Sequence, residues 1–270
     1  EMQRSLVGSE MCIRDRDMDG TLLDENSKLP KDFFSTLEKL NEKNIRFVVA
    51  SGRPYHTLYE NFKPHSDELY FICDNGAYIV EPGKDPIISI IDKNTVNDIV
   101  RACEDMPNTA VILCGVKNTY YKACSEEIKK EIDKYYIKKT LVSDLIDIDD
   151  DIFKVTICDF NGSKEHSYKA LNPLFGKEYK VVVSGAVWID INNKNINKGD
   201  AIKRLQEDLD ISYDETMAFG DFYNDVEMLQ SAHYSFVMEN ANDDMKQYGN
   251  YIAKKNTENG VIKAIEEYVL

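Results

Sequence analysis

Asp17 and Asp19 stand two apart in the run Asp17-Met18-Asp19-Gly20-Thr21. In extended backbone, residues two apart point to the same side, so both carboxylates can face one site. Alone the pattern is weak, because in a chain with 48 acidic residues it arises by chance and a solvated loop explains it better. Three further segments strengthen it. Ser51-Gly52-Arg53 follows an apolar run. Its hydroxyl and the backbone N–H groups freed by glycine can hold a phosphate, with an ordinary helix N-cap as the competing account. Lys198-Gly199 opens a helix after Asn195-Ile196-Asn197. An ammonium there neutralises an anion, although most lysines simply face solvent. Gly220-Asp221-Phe222-Tyr223-Asn224-Asp225 follows Met217-Ala218-Phe219. It offers the hard oxygen ligands that Mg2+ takes, or else a capped turn opening the helix through Val226, Met228 and Leu229. Each segment falls at a strand end, where open α/β sheets bind ligands.

The elements needed to position these loops can be read from the apolar periodicity. Pro30 opens a helix with Phe33, Leu37 and Leu40 on one face, and Ile45 to Ala50 and Tyr70 to Cys73 read as short buried strands. Helices alternating with such strands predict a parallel sheet covered on both faces. Around Pro82-Gly83-Lys84-Asp85-Pro86 the texture changes. Strand patterns at Thr109 to Cys114, Thr119 to Lys122, Ile152 to Asp159 and Tyr179 to Val183 predict an antiparallel sheet with helices on one side. Those helices are the patterns around Val96 to Cys103, Glu126 to Tyr136 and Lys164 to Leu171. After Trp188-Ile189-Asp190-Ile191 the first texture returns, with a helix through Ala201, Ile202, Leu205 and Leu209 and strands at Thr216 to Phe219, Ser235 to Met238 and Tyr251 to Ala253. The expected fold is therefore α/β. A discontinuous core covers 17–82 and 186–270, and an α+β domain covering 83–185 is inserted into it.

With 270 residues, 43% hydrophobic and 30% charged, the chain has the composition of a globular protein of one large or two smaller domains. Its net charge of −15 disfavours nucleic acid and anionic lipid as partners. No apolar run approaches the length of about 18 residues that a membrane span needs. Six cysteines without a Cys-x-x-Cys pair read as small buried hydrophobes of a cytoplasmic protein, rather than disulfides or a zinc site. The histidines at 56, 65, 166 and 233 show no metal-ligand spacing and read as surface or loop residues.

Residues 1–16 do not match the rest of the chain. A strand feeding the turn at Asp17 should be apolar, yet Cys12-Ile13-Arg14-Asp15-Arg16 brings three charges against it. The stretch is also too poor in apolar residues for a signal peptide. It reads as a foreign or mis-read terminus in place of the first strand, which resequencing the gene start would test.

Taken together, the segments resemble the haloacid dehalogenase-like (HAD) hydrolases, in particular the Cof-type phosphatases of subclass IIB. Asp17-Met18-Asp19-Gly20-Thr21-Leu22-Leu23, Ser51-Gly52-Arg53-Pro54, Lys198-Gly199 and Gly220-Asp221-Phe222-Tyr223-Asn224-Asp225 match the four motifs in order. Asn75-Gly76-Ala77, Met238-Glu239-Asn240-Ala241 and Asn259-Gly260-Val261 are secondary marks, and the likeness runs from Asp17 to Leu270. The resemblance implies a Rossmann-like core with an inserted cap that closes over the site. It implies Mg2+ held by the Asp17 carboxylate, the Asp19 carbonyl and Asp221. Ser51, Gly52, Lys198 and Asn224 would hold phosphate, Asp17 would be the nucleophile and Asp19 the acid and base. Asp225 would orient Lys198 or a metal-bound water. Arg53 is a candidate for contacting the leaving group, with a structural salt bridge as the equal alternative. The implied substrate is a small phosphorylated metabolite, such as a sugar phosphate, pyridoxal phosphate or flavin mononucleotide. A phosphomutase or phosphotransferase on the same core and a non-catalytic phosphometabolite sensor are the rivals. A glycosyltransferase leaves Lys198 and Gly220-Asp221 unexplained.

Overall fold

The computed structural model describes residues 12–15 by their backbone, and residues 20–26 and 28–270 in full. The candidate residues Asp17 and Asp19 lie outside the described residues. The chain divides into two compact units. The first takes the described residues up to Gly52, then Lys63–Pro86 and Asn197–Leu270; the second takes Arg53–Phe62 and Ile87–Ile196.

In the first unit the strands are β1 (Cys12–Asp15), β2 (Arg46–Ala50), β3 (Tyr70–Cys73) and β4 (Tyr78–Val80). The strand β5 (Ile87–Ile88) begins the second unit, and β12 (Thr216–Gly220), β13 (Tyr234–Met238) and β14 (Tyr251–Ala253) complete the first. The sheet of the first unit runs β14-β13-β12-β1-β2-β3-β4. All neighbours are parallel except β3 with β4. Strands covered on both faces must be apolar on both, and Phe47-Val48-Val49-Ala50 and Met217-Ala218-Phe219 are buried throughout. Helices α1 (Phe33–Glu42), α6 (Lys198–Leu209), α7 (Val226–Leu229) and α8 (Gly260–Tyr268) belong to this unit. The expected face of α1 is the buried one, with Phe33, Leu37 and Leu40 enclosed and Phe33 edge-on to Phe47 at 5.3 Å.

The charged run before Asp17 carries the central strand. The backbone of β1 pairs with β12 on one side (Arg14 opposite Ala218) and with β2 on the other (Asp15 opposite Val49). Pairing is made by main-chain groups, so it tolerates residue types that an apolar pattern does not predict. From β1 the order leads one way to β2 and β3 and the other way to β12. This reversal is the switch point at which an open α/β sheet leaves a crevice at its carboxyl edge.

The second unit holds β6 (Thr109–Gly115), β7 (Thr119–Tyr121), β8 (Thr140–Leu141), β9 (Ile152–Asp159), β10 (Tyr179–Gly185) and β11 (Trp188–Asn193), in the order β10-β11-β9-β6-β7-β8. Only β7 with β8 is parallel. Because β11 pairs with β9, this sheet continues eight residues past the boundary expected after Gly185. The helices are α2 (Tyr55–Asn61), α3 (Lys93–Cys103), α4 (Glu126–Tyr135) and α5 (Lys169–Phe175). Val96, Ile99 and Val100 of α3 and Leu171 of α5 share one core with Val155 and Ile157 of β9. Thr156 points to the opposite face, where Tyr136, at the end of α4, donates its hydroxyl to it. Helices therefore pack on both faces of this sheet, not on one as the pattern suggested. Among the described residues no helix is long and apolar enough to cross a membrane.

Candidate functional site

The loops leaving β1, β2 and β12 lie side by side because their strands are neighbours. At the first, Gly20 has φ +88°, a left-handed conformation that glycine adopts without steric cost. The close approach matters more. A Cβ at Gly20 would stand 2.4 Å from Asp221 Oδ2. Next to it, Thr21 Oγ1 donates to Asp221 Oδ1 at 2.9 Å, fixing that carboxylate against the first loop. Asn240, in the loop after β13, donates from Nδ2 to the Gly20 carbonyl at 2.7 Å, and its Oδ1 accepts the Asn256 N–H at 3.1 Å. Asn256 in turn donates to the Leu23 carbonyl at 2.8 Å. Loops after β13 and β14 thus clamp the loop after β1.

At the second loop Ser51 is fully buried, and its backbone donates to Ile72 O at 2.8 Å while its carbonyl accepts the Asn75 N–H at 3.1 Å. Asn75 (φ +57°) and Gly76 (φ +104°) turn left-handed after β3. A Cβ at Gly76 would meet the Asn197 carbonyl at 2.6 Å, so glycine here lets the loop lie against the start of α6. Asn197 caps α6, its Oδ1 accepting the Asp200 N–H at 2.8 Å.

Lys198 is therefore the first residue of α6, where the helix dipole repels a cation, and it is only 1% exposed. Its position is set by Asp225, whose Oδ1 lies 3.4 Å from Lys198 Nζ with both side chains enclosed. The other oxygen, Oδ2, accepts the N–H groups of Asp221 at 3.1 Å and Phe222 at 2.9 Å. One carboxylate thus holds both the buried cation and the backbone of the loop that carries Asp221. Asn224 Nδ2 donates to Asn75 Oδ1 at 3.2 Å, and Asn75 Nδ2 lies 3.3 Å from where a Gly52 Cβ would be.

The structure brings Ser51, Gly52, Lys198, Asp221, Asn224 and Asp225 into the first unit, joined through Thr21, Asn75 and Asn240. Arg53 falls in the second unit. Nothing local marks Thr21 and Asn256 as site residues, because the side chain of each acts through a hydrogen bond to a partner distant in sequence. Asn75 and Asn240 were visible only as secondary marks. Among the described residues no group of three or more His, Cys, Asp or Glu could hold a metal ion. The metal set expected from the sequence depends on Asp17 and Asp19.

A family model described as haloacid dehalogenase-like hydrolase matches residues 16–265. The chain belongs to the haloacid dehalogenase-like hydrolases. It is 30% identical over 253 residues to the 5-amino-6-(5-phospho-D-ribitylamino)uracil phosphatase YbjI of Escherichia coli, covering 93% of each chain. A Streptococcus mutans UA159 crystal structure superposes with TM-score 0.85 at 33% identity, covering 97% of this chain and 99% of that one. A Eubacterium rectale structure superposes with TM-score 0.88 at 26% identity, covering 96% and 99%. This HAD chain is of the Cof type, and it is a phosphoric monoester hydrolase. Its parallel-sheet core and its second sheet agree with the fold expected from the sequence.

Proposed function

We propose that the chain hydrolyses a small phosphate monoester with Mg2+, through an aspartyl-phosphate formed on Asp17. The observation that carries this reading is the enclosed Lys198–Asp225 pair, whose carboxylate also ties down the backbone of Asp221 and Phe222. An enclosed ion pair adds little to stability by itself, and this one sets an ammonium beside the Asp221 loop, where it can meet an anionic substrate.

Hard oxygens suit Mg2+, and the candidate holders are the Asp17 carboxylate, the Asp19 carbonyl and the Asp221 carboxylate. The described part of this set fits: Asp221 is steered by Thr21, and its carboxylate can lie against the first loop because residue 20 has no Cβ. When bound, the cation neutralises phosphate charge that would repel an anionic nucleophile. The protein groups do the rest. Lys198, the Ser51 hydroxyl, the Gly52 N–H and the Asn224 amide hold the non-bridging oxygens. Asp17 attacks phosphorus in line, and the bond to the ester oxygen breaks. Asp19 gives its proton to that oxygen, then takes one from the water that hydrolyses the acyl phosphate. Asp225 keeps Lys198 and the Asp221 loop in register.

The second unit acts as a cap that excludes water and selects the leaving group. The relative named for 5-amino-6-(5-phospho-D-ribitylamino)uracil supports a ribityl phosphate on a heterocyclic amine as the first substrate to try. The test is release of inorganic phosphate from a panel of phosphorylated metabolites, with and without Mg2+. Transfer of the phosphoryl group to a sugar hydroxyl with no free phosphate would point instead to a mutase. Binding without turnover would point to a sensor.

A further inference from the structure

We propose that Phe222 and Tyr223 form a stacking platform that favours phosphate esters whose leaving group carries an aromatic ring. This rests on the phosphatase reading above and narrows its substrate class. The loop from Asp221 to Asn224 spans two sides of the site. At one end Asp221 is bonded to Thr21 beside Gly20; at the other Asn224 is bonded to Asn75 beside Gly52. Phe222 and Tyr223 lie between these anchors, 51% and 46% exposed. Their rings pack edge to face with centroids 5.1 Å apart and an interplanar angle of 66°.

The Phe222 backbone and the Tyr223 ring are tethered. The Phe222 N–H is fixed by Asp225, and the Tyr223 hydroxyl donates to Asp244. The next helix, α7, buries Met228 and Leu229, whereas the two aromatics stay half exposed. Aromatic faces held at the surface on a tethered loop, next to groups that hold a phosphate, are placed to stack on a ring joined to that phosphate. Aliphatic phosphates gain nothing comparable from them.

The test compares 4-nitrophenyl phosphate and flavin mononucleotide with glycerol 3-phosphate and glucose 6-phosphate, on wild type, Phe222→Ala, Phe222→Leu and the double variant Phe222→Ala/Tyr223→Ala. Phe222→Leu keeps apolar bulk without a ring. The proposal expects the ratio of kcat/KM for aromatic over aliphatic esters to fall about tenfold in each Phe222 variant, mostly through KM, and further in the double variant. A ratio unchanged in Phe222→Leu and in the double variant overturns it, whether both classes lose activity together or neither does. Failure of the phosphatase reading looks different: wild type then releases phosphate from neither class.

Discussion

Asp225 Oδ1 lies 3.4 Å from Lys198 Nζ, and neither side chain is reached by solvent. Removing one member of such a pair strands a charge, whereas replacing both with apolar groups does not. Asp225→Ala should therefore lower the free energy of unfolding by about 3–5 kcal/mol, read from urea denaturation. The double variant Lys198→Met/Asp225→Leu should recover the part of that loss due to the stranded charge, but not the part due to the Asp221 and Phe222 N–H groups, which still lose their acceptor. Its phosphate release should still stay down by about 10²-fold or more, because the cation is gone. Wild-type activity in the double variant would show that the pair is structural only.

Gly20 approaches Asp221 too closely for any side chain. Gly20→Ala would place a Cβ 2.4 Å from Asp221 Oδ2 on a backbone at φ +88°. Displacement of the Asp221 carboxylate should raise the Mg2+ concentration needed for half-maximal activity and lower kcat/KM by about 10²-fold. The Mg2+ titration separates this from general loss of fold, and kinetics within about twofold of wild type would refute it.

The second unit carries its own acid-sensitive clasp. Buried Asp159, at the end of β9, accepts from His166 Nδ1 at 2.8 Å, from the N–H groups of Asn161 at 2.9 Å and Ser167 at 3.0 Å, and from the Ser167 hydroxyl. Burial pushes its pKa up, but the hydrogen bonds from Ser167, His166 and the backbone outweigh burial and bring it below the ordinary 3.8. A depressed folded pKa contributes stability that is complete above the unfolded value and is lost as pH falls through the folded one. Wild type should thus lose stability below pH 3.8, and Asp159→Asn, which does not titrate, should lose less over that range. At neutral pH Asp159→Ala should cost about 3 kcal/mol, since it leaves buried donors unsatisfied. Urea denaturation followed through Trp188, a residue of β11, reads both.

How much of this was legible in the sequence differs by element. Strands buried on both faces, such as Phe47 to Ala50 and Met217 to Phe219, announced themselves by continuous apolar runs. So did the strand-end loops, because glycine, aspartate and asparagine occur there for chemical reasons. β1 was hidden because Arg14 and Asp15 break the apolar pattern, while the pairing that places the strand is made by backbone alone. The grouping of Arg53–Phe62 with the second unit was hidden too. Nothing local reveals that Thr57 Oγ1 donates to the Tyr135 carbonyl at 3.2 Å, or that His56 Nε2 lies 3.4 Å from Lys138 Nζ. His166, read as a surface or loop residue, is bonded to a buried carboxylate seven positions earlier.

The most direct measurement is phosphate release by purified wild type and Asp17→Asn at saturating Mg2+, with both proteins shown to be folded. Wild type should turn over in a way that EDTA abolishes, and Asp17→Asn should be at least about 10³-fold slower. Wild-type turnover by Asp17→Asn, or turnover indifferent to EDTA, would contradict the proposed mechanism.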